Sequence, residues 1–124
     1  MVNEQKGIVQ FPKTSEHLFE MANELGFYSN LIAQLNKDFL LANIDEVFDN
    51  NISPNCLKEK VQNIVFELLN SDYDSYLKLL YIIDVSEHKL KRLNGGDFMV
   101  LSEQICLEIL LRVWEKVWYR NHYS

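Results

Sequence analysis

The feature of this sequence that most constrains its fold is a repeated order of helix-capping residue, apolar residues at helical spacing, and helix stop. Thr14 or Ser15 precedes one such segment, which ends before Gly26. Ser53-Pro54 places an N-cap serine directly before a proline at the first helical position. No segment alternates apolar and polar residues as a half-buried strand does. The sequence therefore predicts an all-α fold, a compact bundle of about five helices in a single domain.

This punctuation divides the chain into an N-terminal arm, residues 1-13, and a helical domain, residues 14-124. The predicted helices are 15–25, 29–42, 54–69, one that follows a capping box from Ser71 to Asp74, a short one from Ser86 to Leu93, and 97–121. Leu79 to Ile83 make the fourth helix apolar on nearly every side, so we expect it at the centre of the bundle. The polar segment 43–51 predicts a connection that does not pack, and 94–96 predicts a helix stop.

Composition sets the class of protein. The 124 residues are 48% hydrophobic, which is enough to build a core without metal or disulfide. The net charge of −6 disfavours binding to nucleic acid, because a polyanion is repelled unless a local patch reverses the sign. The longest apolar run is far too short to span a bilayer, and the first residues do not form a secretory signal. We therefore expect a cytoplasmic protein with Cys56 and Cys106 reduced.

The sequence contains no motif that specifies a reaction. Metal sites are announced by paired His, Cys or carboxylate spacings, and neither H-E-x-x-H nor a Cys pair at zinc spacing occurs. Gly95-Gly96 lacks the context of a phosphate loop or nucleophile elbow. Cys106 lies among apolar residues, and Cys56 begins a helix without a paired base. We expect no catalytic residue, no metal and no cofactor, and a protein that is not an enzyme.

The segment Asp72 to Leu90, DYDSYLKLLYIIDVSEHKL, resembles a set of small, uncharacterised helical proteins of bacteria. The resemblance covers about half of the chain when the last helix is included. It implies a helical fold and no activity, and it brings no catalytic residue to any position of this sequence.

The last helix changes character along its length. Its first half places Phe98, Leu101 and Ile105 on one face, and the same face later carries cations while the opposite side stays apolar. We therefore expect the helix to emerge from the core, with an aromatic and basic end that is typical of protein interfaces. The candidate interface residues are Arg112, Trp114, Lys116, Trp118, Tyr119, Arg120 and Tyr123.

Charge is unevenly distributed between the two ends of the chain. Residues 14–52 carry one cation against seven anions, whereas residues 85–124 carry six cations against five anions. An acidic half and a weakly basic, aromatic end can dock on each other within one chain or between two chains.

These observations favour a non-enzymatic helical interaction or scaffold module that self-associates, as a homodimer, or that binds another protein. One alternative is a small-molecule or enzymatic site between helices, near Tyr76, Asp84, Glu87 and His88. A second alternative is nucleic-acid binding, which the overall charge disfavours. It would use Lys89, Lys91, Arg92, Arg112, Lys116 and Arg120.

Overall fold

The computed structural model describes residues 11–93 and 96–123. Within them the chain folds as one all-helical domain of six helices with no strand. The helices are α1 (Ser15–Leu25), α2 (Tyr28–Leu41), α3 (Pro54–Ser71), α4 (Tyr73–Ile83), α5 (Glu87–Lys91) and α6 (Phe98–Tyr123). The all-α prediction is confirmed, and the six helices correspond to the six segments that the sequence predicts.

Capping chemistry sets several helix ends where the sequence predicts them. The hydroxyl of Thr14 accepts a hydrogen bond from the backbone N–H of His17 at 3.1 Å, and Gly26 ends α1 in the left-handed conformation at φ 75°. Asp97 accepts from the backbone N–H of Val100 at 2.9 Å and so caps α6. These side chains satisfy N–H groups that have no partner inside the helix.

The predicted capping box of α4 is wrong. Ser71 is the last residue of α3, and its hydroxyl donates back to the carbonyl of Glu67 at 2.7 Å. Asp72 caps α4 instead, accepting from the backbone N–H of Ser75 at 3.2 Å. The Ser75 hydroxyl, which donates to Asp72 at 2.7 Å, and the Ser75 backbone N–H together hold the pKa of the Asp72 carboxyl below its usual value. The short helix α5 ends at Lys91, and most of the predicted stop at 94–96 lies outside the described residues.

The centre of the bundle is α6 rather than α4. The last helix packs against α1, α2, α3 and α4, most extensively against α3. Helix α4 buries one side through Tyr76, Leu79, Leu80 and Ile83, while Tyr81 on its other side is 83% exposed. The expectation of a central fourth helix is wrong because its one fully apolar stretch spans only 79–83, and flanking Lys78 and Asp84 face solvent.

The connection between α2 and α3 is a loop, as predicted, but it packs. The side chain of Asn36 donates to the carbonyl of Phe48 at 3.0 Å and accepts from its N–H at 2.8 Å. These two hydrogen bonds to the backbone hold the Phe48 ring in the core, where its centroid lies 5.3 Å from that of Phe39. In the described part of the chain, no helix has the length and apolar character that crossing a membrane requires.

Candidate functional site

Trp114, a predicted interface residue, belongs to the core of its own chain. Its side chain is fully buried, and its ring centroid lies 6.2 Å from that of Phe27, which follows α1. Neighbouring Val113 and Val117 are buried with it. A residue in this position is unavailable to a second chain, so Trp114 is withdrawn from the candidate interface. The helix does not emerge from the core where the sequence indicated.

The aromatic residues that follow Trp114 in α6 pack on one another and on the segment before α1. Trp118 lies edge-on to Phe11 at 5.7 Å and stacks on the ring of His122 at 3.8 Å. Tyr119 lies 5.6 Å from Phe11 and 5.6 Å from Tyr123. These contacts lie within one chain, so the many aromatic residues near the end of α6 do not require a partner chain. Tyr119 and Tyr123 still expose part of their surface to solvent.

Lys116 pairs inside the chain with the most buried carboxylate that the structure describes. Its ammonium lies 2.9 Å from Asp38 of α2, and Asp38 also accepts from the side-chain amide of Gln34 at 3.1 Å. The same ammonium approaches the carbonyl of Ile82 at 3.5 Å. The basic end and the acidic half therefore meet within one chain at this point, and the pair joins α2, α4 and α6.

Arg112 is also held within the chain. Its guanidinium lies 3.1 Å from the carboxylate of Asp84 and 3.2 Å from that of Glu115, and it donates to the backbone carbonyl of Asp84. Asp84 ends α4 in a left-handed conformation, with φ 71°. Arg112 thus fixes the turn between α4 and α5 on the surface of α6. Of the seven predicted interface residues, Trp114 is buried in the core, and Lys116 and Arg112 form ion pairs within the chain.

An apolar groove lies between α4, α5 and the beginning of α6. It has a volume of about 280 Å³ and is lined mainly by aliphatic and aromatic side chains. Its lining comprises Tyr73, Tyr76, Leu77, Leu80, Leu90, Leu93, Leu101 and Ile105, with Glu87 and Lys91 as its two charged members. Burial raises the pKa of Tyr76 to about 12, because removal from water disfavours the charged tyrosinate.

Large apolar side chains in the lining of this groove, and others on the first turn of α6, remain exposed. Tyr73 is 57% exposed and Leu77 is 47% exposed, both on α4. Phe98 is 44% exposed. It lies on the same face of α6 as Leu101 and Ile105, which line the groove, because residues three and seven apart share a helix face. Met99 and Val100 are exposed on the same turn of α6. We refer to this groove together with Tyr73, Leu77 and Phe98 as the α4–α6 face.

The predicted small-molecule cluster comes together only in part. Tyr76 and Glu87 both line the groove. Asp84 lines a different cleft, between Val85 and Arg112, and His88 is exposed and lines neither of them. The arrangement offers a hydrophobic surface with two charges at its edge, and it does not assemble an acid and a base around one position.

The two cysteines lie in opposite environments. The Cys106 thiol is buried and 3.5 Å from the carbonyl of Lys58, and its burial raises its pKa to about 12. Cys56 is exposed near the beginning of α3, and both thiols are free. Among residues 11–93 and 96–123, no three His, Cys, Asp or Glu side chains lie close enough together to hold a metal ion.

Sequence reasoning missed the α4–α6 face because its residues come from three separate elements. The signal that was present is the exposed apolar run Phe98-Met99-Val100, which directly follows the α6 N-cap and cannot all face one core. Comparisons of the chain with protein-family models, curated proteins and solved structures find no match.

Proposed function

We propose that this protein is a non-enzymatic helical interaction module that forms a twofold homodimer through the α4–α6 face. The observation that carries the proposal is an open apolar groove lined by exposed Tyr73 and Leu77, with exposed Phe98 on the same face of α6 as the lining residues Leu101 and Ile105. Contiguous exposed apolar surface of this kind marks protein interaction sites, whereas single exposed apolar residues do not. The proposal keeps the self-association expected from the sequence and moves the contact away from the end of α6.

A second copy of this chain is the occupant that the α4–α6 face fits best. In a twofold contact the same surface is used by both protomers, so it must be complementary to itself. This face offers both a groove and protruding rings. It also carries one carboxylate, Glu87, and one ammonium, Lys91, and neither forms an ion pair with a described residue. Twofold symmetry lets Glu87 of one protomer pair with the partner's Lys91, and the reverse, across the contact.

The test is sedimentation of the full chain across a hundredfold range of concentration. We expect the wild-type mass to rise from that of one chain to that of two. The double variant Leu77→Gln/Phe98→Gln should remain a single chain throughout, because truncated interface anchors cost about 2 kcal/mol or more each. Leu40→Gln is the matched control, since Leu40 is 74% exposed on α2, outside the lining of the groove. A wild type that stays monomeric throughout would overturn the proposal.

A further variant separates the α4–α6 face from the surface predicted at the end of α6. Tyr119→Ser/Tyr123→Ser removes the two exposed rings of that end and leaves the groove intact. We expect this variant to dimerise like the wild type. Dissociation by the Tyr119/Tyr123 variant, with dimerisation retained by the Leu77/Phe98 variant, would place the contact on α6 and contradict the proposal.

Nucleic-acid binding is the less favoured alternative. Arg112 and Lys116 are committed to carboxylates in the chain, and Lys89 lies 4.0 Å from Glu108. Their charge is thereby partly neutralised, which adds to the unfavourable net charge of −6. Salt-dependent retention of the protein on heparin would support this alternative, and we expect none.

We also propose a cytoplasmic location for this module. The support is the exposed free thiol of Cys56, which persists in a reducing compartment and pairs readily in an oxidising one. Alkylation of intact cells followed by mass analysis should find Cys56 reduced. Recovery of Cys56 in a disulfide would contradict this location.

A further inference from the structure

A second cleft opens beside α5 and shares only Leu93 with the lining of the α4–α6 groove. It lies between residues 11–13, α5 and the middle of α6, and has a volume of about 590 Å³, which falls in the range of small-molecule sites. Phe11, Leu93, Leu107 and Leu111 form its apolar walls. A ligand held there would contact apolar surface contributed by three parts of the chain.

The charged residues of this cleft leave an excess of positive charge. Three cations and two carboxylates line it: Glu108 lies 4.0 Å from Lys89, and Glu115 lies 3.2 Å from Arg112, which it shares with Asp84. Lys13 and Arg92 also line the cleft, and neither forms an ion pair with any described residue.

The position of these two cations is informative in a chain whose net charge is −6. Side chains of both Lys13 and Arg92 border one apolar cavity while carboxylates are abundant elsewhere on the molecule. An exposed guanidinium and an exposed ammonium on the lining of a cleft with apolar walls match a ligand with an anionic head and an apolar body.

We propose that this cleft binds an amphipathic organic anion, with its acidic group held by Lys13 and Arg92 and its apolar part against Leu107 and Leu111. Glu108 and Glu115 line the same cleft and add selectivity, because they would repel a second negative charge on the ligand. The ligand class is therefore a monoanion with a single acidic end.

The experiment compares three probes of equal chain length by titration calorimetry with the full-length protein: octanoate, octanol and octyltrimethylammonium. We expect octanoate to bind most tightly. Arg92→Gln and Lys13→Gln should each weaken octanoate about tenfold or more, as loss of a hydrogen bond to a charged group does. Lys37→Gln is the matched control, because it removes the same charge from the exposed side of α2, outside the cleft.

Three results would overturn the proposal. Octanoate that fails to bind shows that the cleft is not such a site. Octyltrimethylammonium that binds more tightly than octanoate shows that Glu108 and Glu115 set the preference instead. Octanol that binds as tightly as octanoate, with Arg92→Gln and Lys13→Gln unchanged, shows that the cations take no part. Helical circular dichroism of each variant keeps loss of binding distinct from loss of fold.

Discussion

At the scale of single residues, side chains whose residue types suggest a contact with a partner instead make their contacts within the monomer. Lys116 shows this most clearly, because the sequence placed it on a solvent-facing basic surface, whereas it meets buried Asp38 of α2. Nothing in the spacing of two residues 78 positions apart announces such a pair. Trp114 was misassigned for a related reason: a tryptophan near a chain end has the same residue type whether it serves a core or an interface.

Removing Lys116 should be far more costly than removing an exposed lysine. Lys116→Met leaves Asp38 buried without its partner charge, and breaking a buried pair in this way costs about 3–5 kcal/mol of unfolding free energy. Lys58→Met is the control, because Lys58 and Glu16 are 3.7 Å apart on the surface, where water screens such pairs and they add little to stability. Urea unfolding measures both. Equal losses in the two variants would contradict the assigned role of Lys116.

Tyr76 should make stability depend on alkaline pH. Its pKa is raised from 10.0 to about 12 by burial, so below pH 10 it is neutral in both the folded and the unfolded chain. Between these values the unfolded chain loses the phenolic proton and the folded chain retains it, so stability falls as the pH rises. Tyr76→Phe should flatten that fall in unfolding curves recorded above pH 10. An unchanged slope would show that Tyr76 ionises alike in both states.

At the scale of elements, local chemistry was predictable and position in the bundle was not. Thr14, Gly26 and Ser53 mark helix ends through bonds to the nearest turn, so their residue types alone identify them. The place of α4 depends on which neighbours cover it, and an apolar run of five residues does not encode that. Helix α6 is central because it is long enough to contact four other helices.

The one-sided packing of α4 can be tested with two substitutions in the same helix. Leu79→Ala should cost about 2–5 kcal/mol of unfolding free energy, because Leu79 is fully buried and its cavity is not refilled. Tyr81→Ala should change stability by about 0.5 kcal/mol or less, because its ring lies in solvent. Denaturant unfolding at one protein concentration gives both values. Similar costs for the two would mean that α4 is covered on both sides.

At the scale of the whole molecule, the surfaces that the structure leaves open differ from those that the residue pattern favoured. At the aromatic end of α6 the rings of Trp118 and Tyr119 pack on Phe11, although Tyr119 and Tyr123 stay 43% and 69% exposed, whereas the α4–α6 face combines exposed apolar residues of α4 and α6 with a groove. The fold class followed from the sequence. The candidate interface did not, because it depends on which distant segments become neighbours.

NMR of leucine methyl groups and tryptophan indole groups during dilution locates the contact between chains. A dimer through the α4–α6 face should give its largest shifts at Leu77, Leu90 and Leu101, which line the groove, while the indole signal of Trp118 stays constant. Shifts centred on Trp118, with the groove leucines unchanged, would contradict it, as would spectra that do not change across a hundredfold dilution.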